Sequence, residues 1–536
     1  MLSYARGPEE ALLEFTIDEG FRRTVAAHPR RDALVARHQG IRLDWVELDE
    51  QVELVARGLA GLGLKPADRV GVWSTNNVEW ILLQLAAARG GIVLVNVNPA
   101  YRSYELRYVL ERSGMKAIFL READERSEYR RILADARKDG RAALRHEVYF
   151  DHPSWRRFLE AGAPYEAGAK PGDVVNIQYT SGTTGSPKGV LLTHRNLVNN
   201  AWLIARRLGI TEGDRLCMPV PLYHCFGCVM SSLLCFLTGA ALIQPSAGFD
   251  ALATLEAVEA ERATALYGVP AMFISQLQHP DFARFDLTSL RTGIMAGAPC
   301  PVEVMRRVVA DMHLTEMTIA YGQTESSPVI TLSHPTDDLE HRVGTVGSAL
   351  PSTEVKITGP GGEIVEVGET GELCTRGYLV MKGYDGNPEA TAQVIDEEGW
   401  LHTGDLAVMH ADGYFGIRGR SRDMIIRGGE NIYPRDIEEF LHTHPAISEV
   451  AVFGLPDERL GEIVCAWVRL KPEGKATGEE IREYCRENIA RYKVPAYVRI
   501  VDAFPVTVTG KLQKFRMRDA EIELRGLEAA SRIQTA

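Results

Sequence analysis

Between Tyr179 and Val190 the chain reads YTSGTTGSPKGV, a stretch whose residue types and spacing suit a polyphosphate. Glycines at 182, 185 and 189 let the backbone turn several N–H groups toward one point, the hydroxyls of Thr180, Ser181, Thr183 and Thr184 add donors, and Lys188 adds a positive charge. The common G-x-x-x-x-G-K-[ST] loop is excluded, because Lys188 follows Pro187 and no hydroxyl follows the lysine. A plain surface turn has no reason to concentrate these groups. Further on, PVPLYHCFGCVMSSLLCFLTGA from Pro219 is rich in Cys, Phe, Leu and small residues, with His224 near its start. Cys225 and Cys228 form a C-x-x-C, but no second pair stands at zinc-ligand spacing, so they read as small apolar residues of a core or pocket wall.

These stretches need a frame to hold them. From Leu48 the apolar positions Val52, Val55, Leu59 and Leu62 recur at helical spacing, with Gly63 as a stop. Then RVGVWS from Arg69, IVLVNVN from Ile92 and KAIFL from Lys116 read as strands, alternating with helices in VEWILLQLAAAR from Val78 and YELRYVLERSG from Tyr104. Such alternation implies parallel strands joined by right-handed crossovers, a doubly wound sheet. The pattern returns at ALIQ, ATALYGVP and RTGIMAGAP, from Ala241, Ala263 and Arg291, as a second α/β layer. The phosphate loop itself is expected between a strand, VVNIQ, and a helix, HRNLVNNAWLIARRL. After about Leu350, STEVKITGPGGEIVEVGETGEL alternates apolar and polar residues between paired glycines, the mark of antiparallel hairpins. The stretches VAVFGLP, VCAWVRL and EEIREYCRENIA then suggest a small α+β domain beyond a boundary near Arg420 to Asp423.

The chain has 536 residues and 60 Lys and Arg against 72 Asp and Glu. Its net charge of −12 argues against a nucleic-acid binder driven by phosphate neutralisation. No apolar run reaches the roughly 18 residues of a membrane span. The N-terminus lacks the basic-then-apolar order of a signal peptide, and the eight scattered cysteines fit a reducing compartment, so a cytoplasmic protein is expected.

The Ser/Thr/Gly loop resembles the signature of the adenylate-forming superfamily of acyl-CoA synthetases, firefly-type luciferases and peptide-synthetase adenylation domains. Further motifs follow in the family's order: YGQTES at Tyr321 to Ser326, LHTGD at Leu401 to Asp405, GRSRDMI from Gly419 and PVTVTGK from Pro505. The resemblance covers nearly the whole chain. It implies an α/β fold with a large N-terminal domain of two doubly wound subdomains plus a β-rich module (residues 1–419), a hinge at 420–423 and a small mobile α+β domain at 424–536.

It also implies roles. Thr180, Ser181, Gly182, Thr183, Thr184, Gly185, Ser186, Pro187 and Lys188 would cradle the phosphates of ATP. Glu325 is a hard oxygen ligand that with Thr180 would hold Mg²⁺. Tyr321 would pack on adenine and Thr324 touch phosphate, with Gly322 and Gln323 between them, while Gly297, Ala298 and Pro299 let backbone approach the purine. Asp405 and Arg420 would bind the ribose hydroxyls. Lys511 would carry the chemistry, since a mobile ammonium reduces the repulsion between a carboxylate and the α-phosphate it attacks. The hinge role falls on Arg422, where the family usually has Asp or Lys. A swing there would exchange Lys511 for the loop holding Gly428, Gly429 and Glu430, which would approach the pantetheine arm of CoA.

The stretch Tyr223, His224, Cys225, Phe226, Gly227 is similar to the one that opens the acyl pocket of fatty-acyl-CoA synthetases, closest to medium-chain members, with His224 as a gate. An apolar tunnel contributes roughly 0.8 kcal/mol per buried methylene, so neighbouring chain lengths differ only several-fold. The expected activity is an ATP-dependent acyl-CoA synthetase acting in two half-reactions through acyl-AMP. The alternative is an aryl-acid or other carboxylate CoA ligase, and luciferase chemistry shares every motif. A catalytically silent nucleotide- or acyl-binding regulator would have lost Lys511, Glu325 or Asp405, and all three are present. The expected partners are thus a small carboxylic acid, ATP and CoA, with no nucleic acid. A homodimer is common in the family, although no feature of the sequence marks an interface.

Overall fold

The computed structural model describes the chain except residues 139, 141–142, 166–167, 181–186, 299, 301, 421–422, 428–429, 458–459, 490, 507–511 and 528–536, and except the side chains of residues 420, 430 and 431. It falls into two compact units. The larger comprises Ala5–Val355 with Thr375–His402, and the smaller comprises Met1–Tyr4, Lys356–Cys374 and Thr403–Ala536.

Among the described residues, the larger unit holds two sheets. One has seven strands in the order Gly383–Tyr384, Lys188–Thr193, Val174–Thr180, Val93–Asn96, Arg69–Trp73, Ala117–Leu120, His146–Tyr149. The last five run parallel, and the first two are antiparallel additions at one edge. The other has nine strands, from Ser348–Ala349 through Val329–Leu332, Glu316–Gly322, Thr292–Ala296, Ala265–Gly268, Arg215–Cys217, Ala241–Gln244 and Asp32–Ala36 to Ile41–Asp44. Its six central strands are parallel. The doubly wound reading therefore holds for both layers.

The helix Val78–Arg89 explains how the layers share a core. Its sequence offers no polar face, and every residue except Glu79 is buried. A helix apolar all round belongs inside a protein. Here it joins one cluster with Val70, Leu94 and Phe119 of the first sheet and Leu34, Leu242 and Ile294 of the second. Its start is fixed by Asn77, whose side chain accepts a 2.7 Å hydrogen bond from the Trp80 amide. The helix Trp45–Gly61 begins at a capping box of Asp44 and Glu47, and Gly63 beyond its end takes a φ of 74°, the left-handed conformation a glycine tolerates.

The strands Thr353–Thr358, Thr370–Gly377, Leu401–Met409 and Phe415–Arg420 lie side by side in that order in a further sheet, the expected β-rich module, and the last two pair antiparallel. The segment EIVEV, expected in a hairpin, contributes only isolated bridges at Ile364 and Glu366. It still closes a turn back onto Thr353–Thr358, the Gly359 amide donating to the Glu363 carbonyl at 2.8 Å and the Val365 amide to the Ile357 carbonyl at 3.1 Å. Beyond the module, the long strands Ile447–Asp457 and Gly461–Leu470 pair antiparallel. Val450 and Val452 face one cluster, and Ala451, Phe453 and Leu455 the other, so a strand buried on both faces reads as a continuous apolar run. Helices Pro434–His442, Gly478–Asn488 and Lys514–Arg525 complete this α+β part.

Candidate active site

The phosphate loop is the connection of a β-hairpin. Val174–Thr180 pairs antiparallel with Lys188–Thr193, ending on Tyr179 opposite Gly189 and Thr180 opposite Lys188. This corrects the expected strand-to-helix setting: KGVLLT is itself a strand, and the helix His194–Leu208 starts only after it. Val190 and Leu192, two apart and so on one face of the pleat, are buried, while Leu191 between them is half-buried. Ser181, Gly182, Thr183, Thr184, Gly185 and Ser186 lie outside the described residues, but both ends of their loop are held in register. Gly189 packs tightly, since a Cβ there would stand 3.1 Å from Ile177 and 3.2 Å from the Tyr179 ring.

Against the outer edge of this hairpin lies Gly383–Tyr384, with Tyr384 opposite Val190. The Asp385 amide donates a 2.7 Å bond to the Gly189 carbonyl. Arg69 grips Asp385 with both guanidinium nitrogens, at 2.8 and 2.7 Å, and donates to the Ser113 carbonyl at 2.7 Å. The bidentate fork fixes direction as well as distance. Lys188 places its Nζ 4.9 Å from the centroid of the Tyr384 ring, a cation–π contact. The Tyr384 hydroxyl donates a 2.8 Å hydrogen bond to Oε1 of Glu325.

Glu325 sits in the short turn Thr324–Ser326 after the strand Glu316–Gly322. Ser326 Oγ ties this turn down, accepting from the Gln323 amide at 3.0 Å. The Met381 amide donates to the Glu325 carbonyl at 2.9 Å, so the segment 381–384 holds both the backbone and the side chain of Glu325. Gly322 admits no side chain, because a Cβ would meet the Pro328 carbonyl oxygen at 1.9 Å. Tyr321 follows Ala320, the last residue of its strand to pair with Thr292–Ala296, whose continuation Gly297 has a φ of 83°. Pro299 lies outside the described residues.

The apolar stretch forms a nearly continuous helical run: Cys225–Gly227, a wider π turn over Cys228–Leu233, and Leu234–Thr238. π turns recur at functional sites. Exposed His224 caps its start, Nδ1 accepting a 3.3 Å bond from the Phe226 amide. Cys225 Sγ stands 3.8 Å from the Thr324 hydroxyl, joining this helical run to the Glu325 turn. Burial pushes the Cys225 thiol up to about 12, so it stays protonated. Cys228 accepts from Gln178 Nε2 at 3.3 Å and from Asn96 Nδ2 at 3.6 Å. Both cysteines are free and buried. Gly227 is required by close approach, a Cβ meeting the Pro221 carbonyl oxygen at 2.3 Å. Tyr223 is buried, and Phe226 lies against Tyr267 with ring centroids 5.9 Å apart.

In the smaller unit, Asp405 and Arg420 stand directly opposite one another on adjacent antiparallel strands. Asp405 is 8% exposed, and its amide donates to the Thr403 hydroxyl at 3.1 Å. Glu430 lies opposite Arg427 in the hairpin of Ile425–Arg427 and Glu430–Ile432, while Gly428 and Gly429 are outside the described residues. So are Arg422, the expected hinge residue, and Lys511. Val506 and Leu512, which bracket residues 507–511, form an antiparallel bridge.

The structure thus brings together Thr180, Lys188, Thr324 and Glu325, with Cys225 beside them, and adds three residues the sequence did not reveal: Arg69, Tyr384 and Asp385. No local pattern marks Tyr384 and Asp385, whose partners lie far away along the chain.

Residues 21–385 match the family described as AMP-binding enzyme, and residues 436–511 match the AMP-binding enzyme C-terminal domain. The chain is 44% identical to the Bacillus subtilis (strain 168) protein named "Putative acyl-CoA synthetase YngI", over 97% of this chain and 99% of that one. It is 40% identical to the mitochondrial medium-chain acyl-CoA ligase ACSF2 of Mus musculus, over 97% of this chain and 89% of the relative. Among solved structures, an anthranilate CoA ligase, AuaEII, in complex with anthranoyl-AMP superposes with a TM-score of 0.88 at 26% identity, covering 96% of this chain and 99% of that one. Matched along nearly its whole length by such relatives, the chain belongs to the AMP-binding enzyme family, the adenylate-forming enzymes, in the acyl-CoA synthetase branch.

Proposed function

We propose that this chain is an ATP-dependent fatty-acyl-CoA synthetase acting on medium-chain acids: carboxylate and ATP give acyl-AMP and pyrophosphate, and CoA then gives acyl-CoA and AMP. The observation that carries the reading is the convergence of Lys188, Tyr384 and Glu325 at the base of the Thr180–Lys188 hairpin. It sets a cation and a carboxylate beside a loop of hydroxyls and glycines.

In this reading Lys188 and the loop 181–186 bind the triphosphate. The donor set of Thr180 and Glu325, one hydroxyl and one carboxylate, fits Mg²⁺, which keeps several waters and prefers few hard oxygen ligands. When bound, the ion neutralises phosphate charge. Tyr321 and the backbone at Gly297–Ala298 are assigned the adenine, and Asp405 with Arg420 the ribose. Lys511 neutralises charge at the α-phosphate during adenylation. A swing at residues 420–423, between domains 1–419 and 424–536, would then retire Lys511 and bring forward Gly428, Gly429 and Glu430 for the thiol.

Tyr223 to Gly227 form the acyl wall with His224 at its mouth. One observation favours an aryl acid as the second reading: the AuaEII structure that superposes on this chain holds anthranoyl-AMP, an aryl adenylate. Among the described residues no helix is long and apolar enough to cross a membrane. The cytoplasm as compartment, and a homodimer as assembly, belong to this proposal.

The test is pyrophosphate release with ATP and Mg²⁺ across acids from acetate to palmitate, plus benzoate and a cinnamate, each with and without CoA. The expected result is a maximum near C8 with CoA-dependent turnover. An aryl maximum would move the assignment to the second reading. No release with any acid would refute both.

A further inference from the structure

Tyr384 stands between two opposite charges. The Lys188 ammonium lies over its ring face, 4.9 Å from the centroid, and the Glu325 carboxylate accepts from its hydroxyl at 2.8 Å. Among the described residues neither Lys188 nor Glu325 takes part in an ion pair. A lysine and a glutamate joined directly would each satisfy the other, and phosphate or metal would have to break that pair first. The interposed ring leaves both available. It attracts the ammonium weakly, while the hydroxyl occupies one carboxylate oxygen and leaves the second.

The mount of Tyr384 is rigid. Its strand pairs with Lys188–Thr193, the Asp385 amide bonds the Gly189 carbonyl, and Arg69 holds Asp385 in a two-nitrogen fork. The Met381 amide ties the same segment to the Glu325 carbonyl.

We propose that Tyr384 is a positioning residue of the metal–triphosphate site: its hydroxyl orients the Glu325 carboxylate toward the ion, and its ring keeps Lys188 from pairing with Glu325. The proposal rests on the reading of Glu325 as a metal ligand. Partners that orient a ligand typically change metal affinity by about 10–100-fold when removed.

The test is Mn²⁺ binding to the full-length protein with a non-hydrolysable ATP analogue present, followed by the electron paramagnetic resonance of free Mn²⁺. Three proteins are compared: the wild type, Tyr384→Phe and Glu325→Gln. The phenylalanine keeps the ring and the spacing and removes only the donor. Expected are an Mn²⁺ dissociation constant about 10-fold higher for Tyr384→Phe, unchanged affinity for the analogue without metal, and an unchanged melting temperature. Glu325→Gln should weaken Mn²⁺ at least as much. If Tyr384→Phe binds Mn²⁺ like the wild type while Glu325→Gln does not, the positioning role is overturned and Glu325 stands as a ligand. If Glu325→Gln also binds normally, both the role and the reading beneath it are overturned. Tyr384→Leu tests the ring: it should also weaken metal-free analogue binding, as Lys188 is released toward Glu325, and an unchanged value would remove the spacer function.

Discussion

The hydroxyl of Tyr384 donates a 2.8 Å hydrogen bond to Oε1 of Glu325, joining an edge strand of the seven-stranded sheet to a turn at the end of a strand in the nine-stranded sheet. Both sheets of the larger unit therefore meet at this pair. Beside this pair the Cys225 thiol stands 3.8 Å from the Thr324 hydroxyl, so the helical run that follows Arg215–Cys217 also reaches the Glu325 turn. Ligand-binding residues in open α/β sheets gather beyond the carboxyl ends of the strands, and Thr180, Gly297 and Tyr321 through Glu325 all follow or end such strands.

Lys511→Ala separates the two proposed half-reactions. If its ammonium acts only while the carboxylate attacks phosphorus, pyrophosphate release should fall by about 10²–10³-fold, the cost of removing one preorganised donor. Conversion of supplied acyl-adenylate and CoA to acyl-CoA should stay near the wild-type rate. Single-turnover assays of each half-reaction on the same preparation check this. Equal loss in both would reject the idea that Lys511 leaves the site between steps.

The sequence carried most of the frame in plain view because the frame rests on local periodicity. The helix Val78–Arg89 and the strands Arg69–Trp73 and Ala117–Leu120 follow from runs of apolar residues bounded by stops. Less legible was the edge at which Gly383–Tyr384 joins the hairpin strand Lys188–Thr193, since a strand added from far along the chain leaves no mark on its neighbours. The same holds for the site. Thr180, Lys188 and Glu325 stood out by motif, and Asp405 and Arg420 by two motifs that the hairpin of Leu401–Met409 and Phe415–Arg420 sets face to face. Tyr384 and Arg69 act through partners 59 and 316 residues away, at Glu325 and Asp385, and only folding brings those together.

His224 offers a test of the acyl mouth. Its exposed imidazole caps the helical run through the Phe226 amide, so removing it both opens space and loses a cap worth roughly 1 kcal/mol. His224→Asn keeps a side-chain acceptor, and His224→Ala does not. If the imidazole narrows the entrance, both variants should raise kcat/KM for longer acids relative to octanoate, by up to about 4-fold for each methylene newly buried. The check is the ratio of kcat/KM for dodecanoate and octanoate. A profile that does not move in either variant takes His224 out of the gate and leaves it as a cap.

His194 gives the larger unit a dependence on acid that is separate from catalysis. It is 1% exposed, and its Nδ1 accepts a 3.1 Å bond from the Ile17 amide, tying the start of helix His194–Leu208 to the start of Ile17–Ala27. Burial lowers its pKa from 6.5 to about 4, because the charged ring cannot be solvated there and would lose its acceptor. The unfolded chain therefore binds a proton below pH 6.5 that the folded chain refuses until about pH 4. Stability is at its full value above pH 6.5 and falls as pH drops through that window. At pH 5 the loss is about 2 kcal/mol, and it approaches about 3 kcal/mol near pH 4. His194→Asn, whose side-chain oxygen can accept from the Ile17 amide but does not titrate, should lower stability at pH 7.5 slightly and flatten its decline toward pH 5. Denaturation midpoints of both proteins at pH 7.5 and pH 5 decide the matter: parallel declines would mean that other groups, and not His194, set the acid limit of the fold.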